Sequence, residues 1–199
     1  MDRPHPTRLG RQTRRLLIIA TIASSTVMVG AGAYTLALFT DSATSGGNAF
    51  AVGTVTIGVS PTSAFMTLSG MLPGDSTTGT LTVSSTGNAT LRYAMTTAST
   101  NPDGKALRDQ MALVIKTKDT NTAGCGNFNG TQLFNGTLAN GAVGDPAQGA
   151  QAGDRTLAGG ASEVVCFRAT LPGSTGNAFA GAATNATFTF SAEQTANNP

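Results

Sequence analysis

The sequence predicts an all-β protein, an antiparallel β-sandwich, on three observations. Short segments alternate apolar and polar residues with a period of two, Gly, Asn, Pro and Asp turn signals separate them, and the composition is that of a β protein. The chain is rich in Thr, Ser, Ala, Gly and Asn, has no Trp, and is only 11% charged. Such a composition suits many short strands joined by tight turns.

In order, Thr54 to Val59 places Val55, Ile57 and Val59 on one face, and Ala64 to Leu68 is a further short apolar segment. Thr80 to Ser84 and Leu91 to Thr96 repeat the alternation, with a turn at Gly87-Asn88 between them. Asp103 to Gln110 reads as one helical turn before Met111 to Lys116, whose continuous apolar character suits a central strand. Glu163 to Ala169 and Thr187 to Ala192 complete seven or eight strands, each turning its apolar set to a core and its Thr, Ser or Arg set to water. Between them, a Gly-rich stretch at about 121–160 has few apolar anchors and reads as a surface excursion. Gln132-Leu133-Phe134 and Thr137-Leu138 are its only expected pins to the domain.

The first residues have a different texture. Arg3, Arg8, Arg11, Arg14 and Arg15 stand against one acid, Asp2, and precede an apolar run from Leu16 to Ala33. Positive charge, apolar core and small residues follow the order of a secretory signal helix. Cleavage is offered after Ala33 or after Ala37; an uncleaved membrane anchor is the competing reading, and Thr13 to Leu17 also has twin-arginine character. Removing residues 1–37 leaves 38–199, about 160 residues, which suits one domain.

Charge and cysteine usage narrow the function. The whole chain is +2, yet five of its 12 Lys/Arg and one of its 10 Asp/Glu precede Leu38, leaving seven cations against nine anions. The remaining domain has no basic footprint for nucleic acid. The chain's only His, His5, lies in the leader, which excludes a His-Glu-x-x-His zinc site, a Ser-His-Asp triad or a Cys-His pair from 38–199. Cys125 and Cys166 fit no metal spacing; two cysteines in an exported chain predict one disulfide, closing a loop of 41 positions worth roughly 4 kcal/mol on the chain-entropy model. The scattered Asp residues read as turn and cap residues, and Asp119-Thr120-Asn121 lacks EF-hand spacing. No catalytic, cofactor-binding or metal residue is expected. The Asn-x-Thr sequons at Asn88, Asn129, Asn135 and Asn185 are expected by chance in so Thr- and Asn-rich a chain.

Several blocks resemble one family. The leader is followed by Phe39-Thr40-Asp41 and then Asn48-Ala49-Phe50-Ala51-Val52-Gly53-Thr54. Leu72-Pro73-Gly74-Asp75, Thr80-Leu81-Thr82-Val83, Gly87-Asn88 and Leu91-Arg92-Tyr93 come next in order, and Thr187-Phe188-Thr189-Phe190 resembles a last strand. Together they resemble the TasA/camelysin family, exported bacterial surface and biofilm-matrix proteins matured by a SipW-type signal peptidase. The resemblance implies a jelly roll and cleavage between Ala37 and Leu38. It also implies a secreted, cell-surface fibre subunit whose partner is another copy of itself, with further matrix or cell-wall components, and which meets the membrane only through an uncleaved signal. In that family the mature N-terminal segment can act as a donated strand; here Leu38, Phe39, Asp41 and Phe50 mark it, with a Gly46-Gly47 hinge. The same segment folding back as the domain's own first strand stays open. A monomeric adhesive module is the second functional reading. A camelysin-like peptidase is the third, although the absence of His after residue 37 speaks against its usual zinc mechanism.

Overall fold

The computed structural model describes residues 53–67 and 69–198. The expected signal helix, the Ala37 to Leu38 junction, the donor-strand residues Leu38, Phe39, Asp41 and Phe50, and Leu68 lie outside them.

Nine strands form two antiparallel sheets: β1 Ile57–Ser60, β2 Ser76–Ser85, β3 Leu91–Ser99, β4 Ala112–Thr117, β5 Gln132–Thr137, β6 Ala142–Val143, β7 Arg155–Leu157, β8 Ser162–Thr170 and β9 Ala186–Gln194. Among the described residues, helix is confined to the single turn α1, Leu107–Gln110, and two 3-10 turns, Leu138–Asn140 and Asn177–Phe179. Sheet one runs β1-β2-β8-β4-β5. In sheet two, β3 pairs along its whole length with β9 and, on its other edge, with β7 and then β6. Because β8 inserts between β2 and β4 while its sequence neighbours lie in the other sheet, the topology is jelly-roll-like.

The period-two pattern places the core. Leu81 and Val83 of β2, Leu91 and Met95 of β3, Leu113 and Ile115 of β4, and Val165 and Phe167 of β8 are all buried between the sheets. One end is clamped by charge: the Tyr93 hydroxyl donates to Glu163 across the sheets at 2.7 Å, and Arg155 donates to the same carboxylate. Burial first, and then the hydrogen bond to Glu163, push the Tyr93 phenol far above its ordinary range, so it stays a neutral donor.

Three expectations change. The Gly-rich middle is not only an excursion: besides β5 it supplies β6 and β7, both paired to β3, and it buries Leu138, Val143 and Leu157. Ala64 to Met66 forms no strand; Phe65 and Met66 pack instead against the core. Gly79 of β2 is the reason, since a Cβ there would run into both side chains. Arg92, expected in water, is only 7% exposed. It lies on the outer face of sheet two, where Glu193 accepts from it at 2.6 Å and the Asn198 carbonyl also accepts.

Candidate assembly surface

The two flanks of the sandwich differ in their hydrogen-bonding edges. On the flank formed by β1 and β9, β9 pairs only with β3, so among the described residues its outer edge has no strand partner for its N–H and C=O groups. Strand β1 is short and covers only Thr82 to Ser85 of β2, leaving Ser76 to Leu81 without a strand partner on that edge among the described residues. Along this flank, apolar side chains that are only partly buried pack against the core: Val55, Ile57 and Val59 near β1, and Phe188 on β9. Phe65 partly fills the gap at that edge of β2, its ring 5.0 Å from Phe167 and 5.5 Å from Phe188 between centroids. Such a flank, apolar between two incomplete edges, is chemically suited to accept an extended segment.

The outer faces carry two loops, each organised by carboxylates. Cys125 and Cys166 are joined, with Cα atoms 5.5 Å apart. Cys166 sits on the outward side of β8, so the bond fastens the loop after β4 onto the outside of sheet one rather than into the main core. Asp119, fully buried, organises that loop by accepting from the backbone N–H groups of Asn127 at 2.7 Å and Asn129 at 2.9 Å and from the Thr122 hydroxyl. Burial works to raise this carboxyl, but those donors together hold it below the usual carboxylate range. Phe128 completes the loop with φ of 53°, a conformation strained for a bulky residue. Its ring lies beneath Arg168, 4.0 Å from the guanidinium carbon to the centroid, with the Lys116 ammonium 5.0 Å away.

On sheet two, Asp154 accepts from the N–H groups of Asp145 and Gln151, and Glu193 accepts from Gly149. Together these bonds hold the loop over Arg92 and Ala94, leaving a shallow cavity. The Asp residues expected in turns act as such: Asp75 accepts from Leu72 N–H, and Asp103 from Lys105 and Ala183.

A family model described as camelysin metallo-endopeptidase matches residues 13–119, from the basic and apolar N-terminal stretch through β4. The chain belongs to the camelysin family. The match spans the blocks from Phe39 to Tyr93 that carry the TasA/camelysin resemblance and ends before β5. A search of curated proteins finds no match.

The camelysin description implies a metal, and the donor chemistry of the described residues does not fit one. They contain no His, and both cysteines are consumed by the disulfide. Glu163 and Glu193 are engaged by arginines, and Asp119 and Asp154 by backbone N–H groups. No three His, Cys, Asp or Glu side chains group together among the described residues.

The sequence reading takes Asp119 as a turn residue, which its loop N–H bonds bear out, and misses the Phe128 stack and the Tyr93-Glu163-Arg155 clamp, both of which arise from contacts distant in sequence. Of the three, only Asp119 had a visible signal. An Asp followed by Thr, Asn and Gly-rich residues marks a carboxylate able to collect loop N–H groups.

Proposed function

We propose that the chain is a non-enzymatic structural subunit of a secreted surface fibre or biofilm matrix, assembling through a strand donated by the N-terminal segment of a neighbouring copy. The observation that carries this reading is the β1/β9 flank, where partly buried Val55, Ile57, Val59 and Phe188 line the core beside two strand edges left incomplete among the described residues. Leu38 to Phe50 supplies complementary chemistry: apolar anchors at Leu38, Phe39 and Phe50, one net charge, and a Gly46-Gly47 hinge. An extended segment of that kind satisfies edge hydrogen bonds and adds apolar contacts in the same step. Export follows from the leader, with cleavage between Ala37 and Leu38 by a SipW-type peptidase placing the donated segment at the new N-terminus. The camelysin family membership agrees with this reading, and the lack of His after residue 37 argues for an architectural role over zinc peptidase chemistry.

Electron microscopy of residues 38–199 across a concentration series tests it, with filaments growing in number as concentration rises. A protein that stays monomeric throughout, or that cleaves peptides in a chelator-sensitive manner, contradicts it. N-terminal sequencing of exported material checks the junction, and a start at Tyr34 would refute it.

A further inference from the structure

Charge on the described residues is sorted by face. Arg92 is paired with Glu193, Arg155 with Glu163 and Arg108 with Asp109, while the Lys105 ammonium, away from either outer face's loop, donates to the Ala180 carbonyl at 2.6 Å. The three remaining cations, Lys116, Lys118 and Arg168, all belong to the outer face of sheet one. Lys116 and Arg168 flank the Phe128 ring, and Lys118 is exposed, its N–H continuing the ladder to the Val164 carbonyl. Asp119 is the acid nearest in the loop, and it is buried and engaged by N–H groups. The opposite outer face, on sheet two, carries the converse arrangement. Asp145 is exposed there and accepts only the Ala147 N–H, Asp154 stands beside it accepting from Asp145 and Gln151, and among the described residues no cation pairs with either, since Arg92 is turned to Glu193.

These two patches lie on opposite faces of one sandwich and cannot neutralise each other within a chain. We propose that they neutralise each other between chains: the basic outer face of sheet one docks on the acidic 145–154 loop of a second copy. The contact is heterologous and joins opposite faces of the two copies, so, where its rotation does not close a ring, it repeats and stacks subunits or filaments side by side. It uses neither the β9 edge nor the β1/β9 flank, and it adds to strand donation a lateral, salt-sensitive association. Electrostatic complementarity of this kind sets register and partner choice, and it weakens as ionic strength shortens the Debye length.

The test uses the protein recovered from expressing cells, at about 0.02 M and about 0.5 M salt, conditions that change screening severalfold. Association is read by sedimentation, and filament width by electron microscopy. Bundles, or stacked subunits where filaments are absent, are expected at low salt and should disperse at high salt. Lys118→Glu and Asp145→Lys should each weaken low-salt association on the order of tenfold, leaving single filaments and the thermal melt unchanged. The two substitutions combined in one chain should restore association. Arg168→Glu serves as a second basic-face variant, with a melt to confirm that the Phe128 loop is retained. Loss of single filaments in Lys118→Glu would instead implicate assembly itself and overturn the assignment of a separate lateral contact. Association indifferent to salt, or a combined variant that stays dispersed, would also overturn the proposal. So would a basic face that captures poly-glutamate while Asp145→Lys stacks normally, since the occupant would then be an acidic polymer rather than a second copy.

Discussion

The two flanks of this sandwich are closed by different means. On the β5/β6 flank the chain itself passes from one sheet to the other: β5 leads through the 3-10 turn at Leu138–Asn140 into β6, burying Leu138 and Val143. The Leu138 N–H donates to the Met111 carbonyl at 2.9 Å, so the crossing satisfies its backbone as it seals the core. On the β1/β9 flank no strand crosses among the described residues, and the partly buried Phe65 stands in the gap between Phe167 and Phe188. A covalent crossing makes the first flank a stability element. The second, with apolar side chains beside edges left incomplete among the described residues, is the one the proposed strand donation would use.

If that contrast is right, substitutions on the two flanks separate stability from assembly. The largest loss of stability is expected on the closed flank, where Leu138→Ala should cost about 2–5 kcal/mol and lower the thermal midpoint by many degrees. Replacing both Cys125 and Cys166 by Ser comes next, at about 2–4 kcal/mol by thermal or denaturant melting. Because that bond lies on the outer face of sheet one, filaments should still form below the lowered midpoint. Their loss would mean that the β1/β9 flank depends on the disulfide loop. Phe65→Ser on the open flank should cost less, roughly 2 kcal/mol or below, yet change the concentration at which filaments appear. An unchanged threshold on electron micrographs would remove Phe65 from the assembly surface.

The smallest effect concerns acid. The carboxyl of Asp119 is held below its ordinary range by loop N–H donors despite burial, that of Asp103 by the Lys105 and Ala183 N–H groups, and that of Glu193 by Arg92. A group depressed in the folded state contributes stability above its unfolded pKa, about 4 for a carboxylate, and loses it as pH falls through the folded value. The melting temperature should therefore be flat near neutrality and drop progressively below about pH 4. Asp119→Asn should lower stability at pH 7 and flatten that acid limb, as followed by circular dichroism.

How much of this was legible depended on whether a residue's environment is local. Leu81 and Val83, or Phe188 and Phe190, announce their face because strict alternation on a long strand fixes orientation. Strands β6 and β7 hold two and three residues, too few to show any period, and they exist because β3 offers them an edge. Arg92 and Cys166 obey the alternation yet are buried, since distant segments, the 145–154 loop and the loop carrying Cys125, cover their outer faces. Phe65 and Met66 look like a strand by composition, and only their meeting with Gly79 makes them a plug. On the candidate site, the sequence supplied the cysteine pair, while the anchors proposed for Leu38 to Phe50 lie outside the described residues. The β1/β9 flank was hidden because it arises from strands more than 120 positions apart.

The central claim, that the N-terminal segment completes a neighbour rather than its own domain, is tested most directly by deleting Leu38 to Gly47 and comparing electron micrographs and thermal melts with those of the intact protein. Donation predicts that filaments vanish while the melt is little changed, because Val55, Ile57 and Val59 remain in place against the core. A deleted protein that still forms normal filaments, or one whose midpoint falls by many degrees, would contradict it.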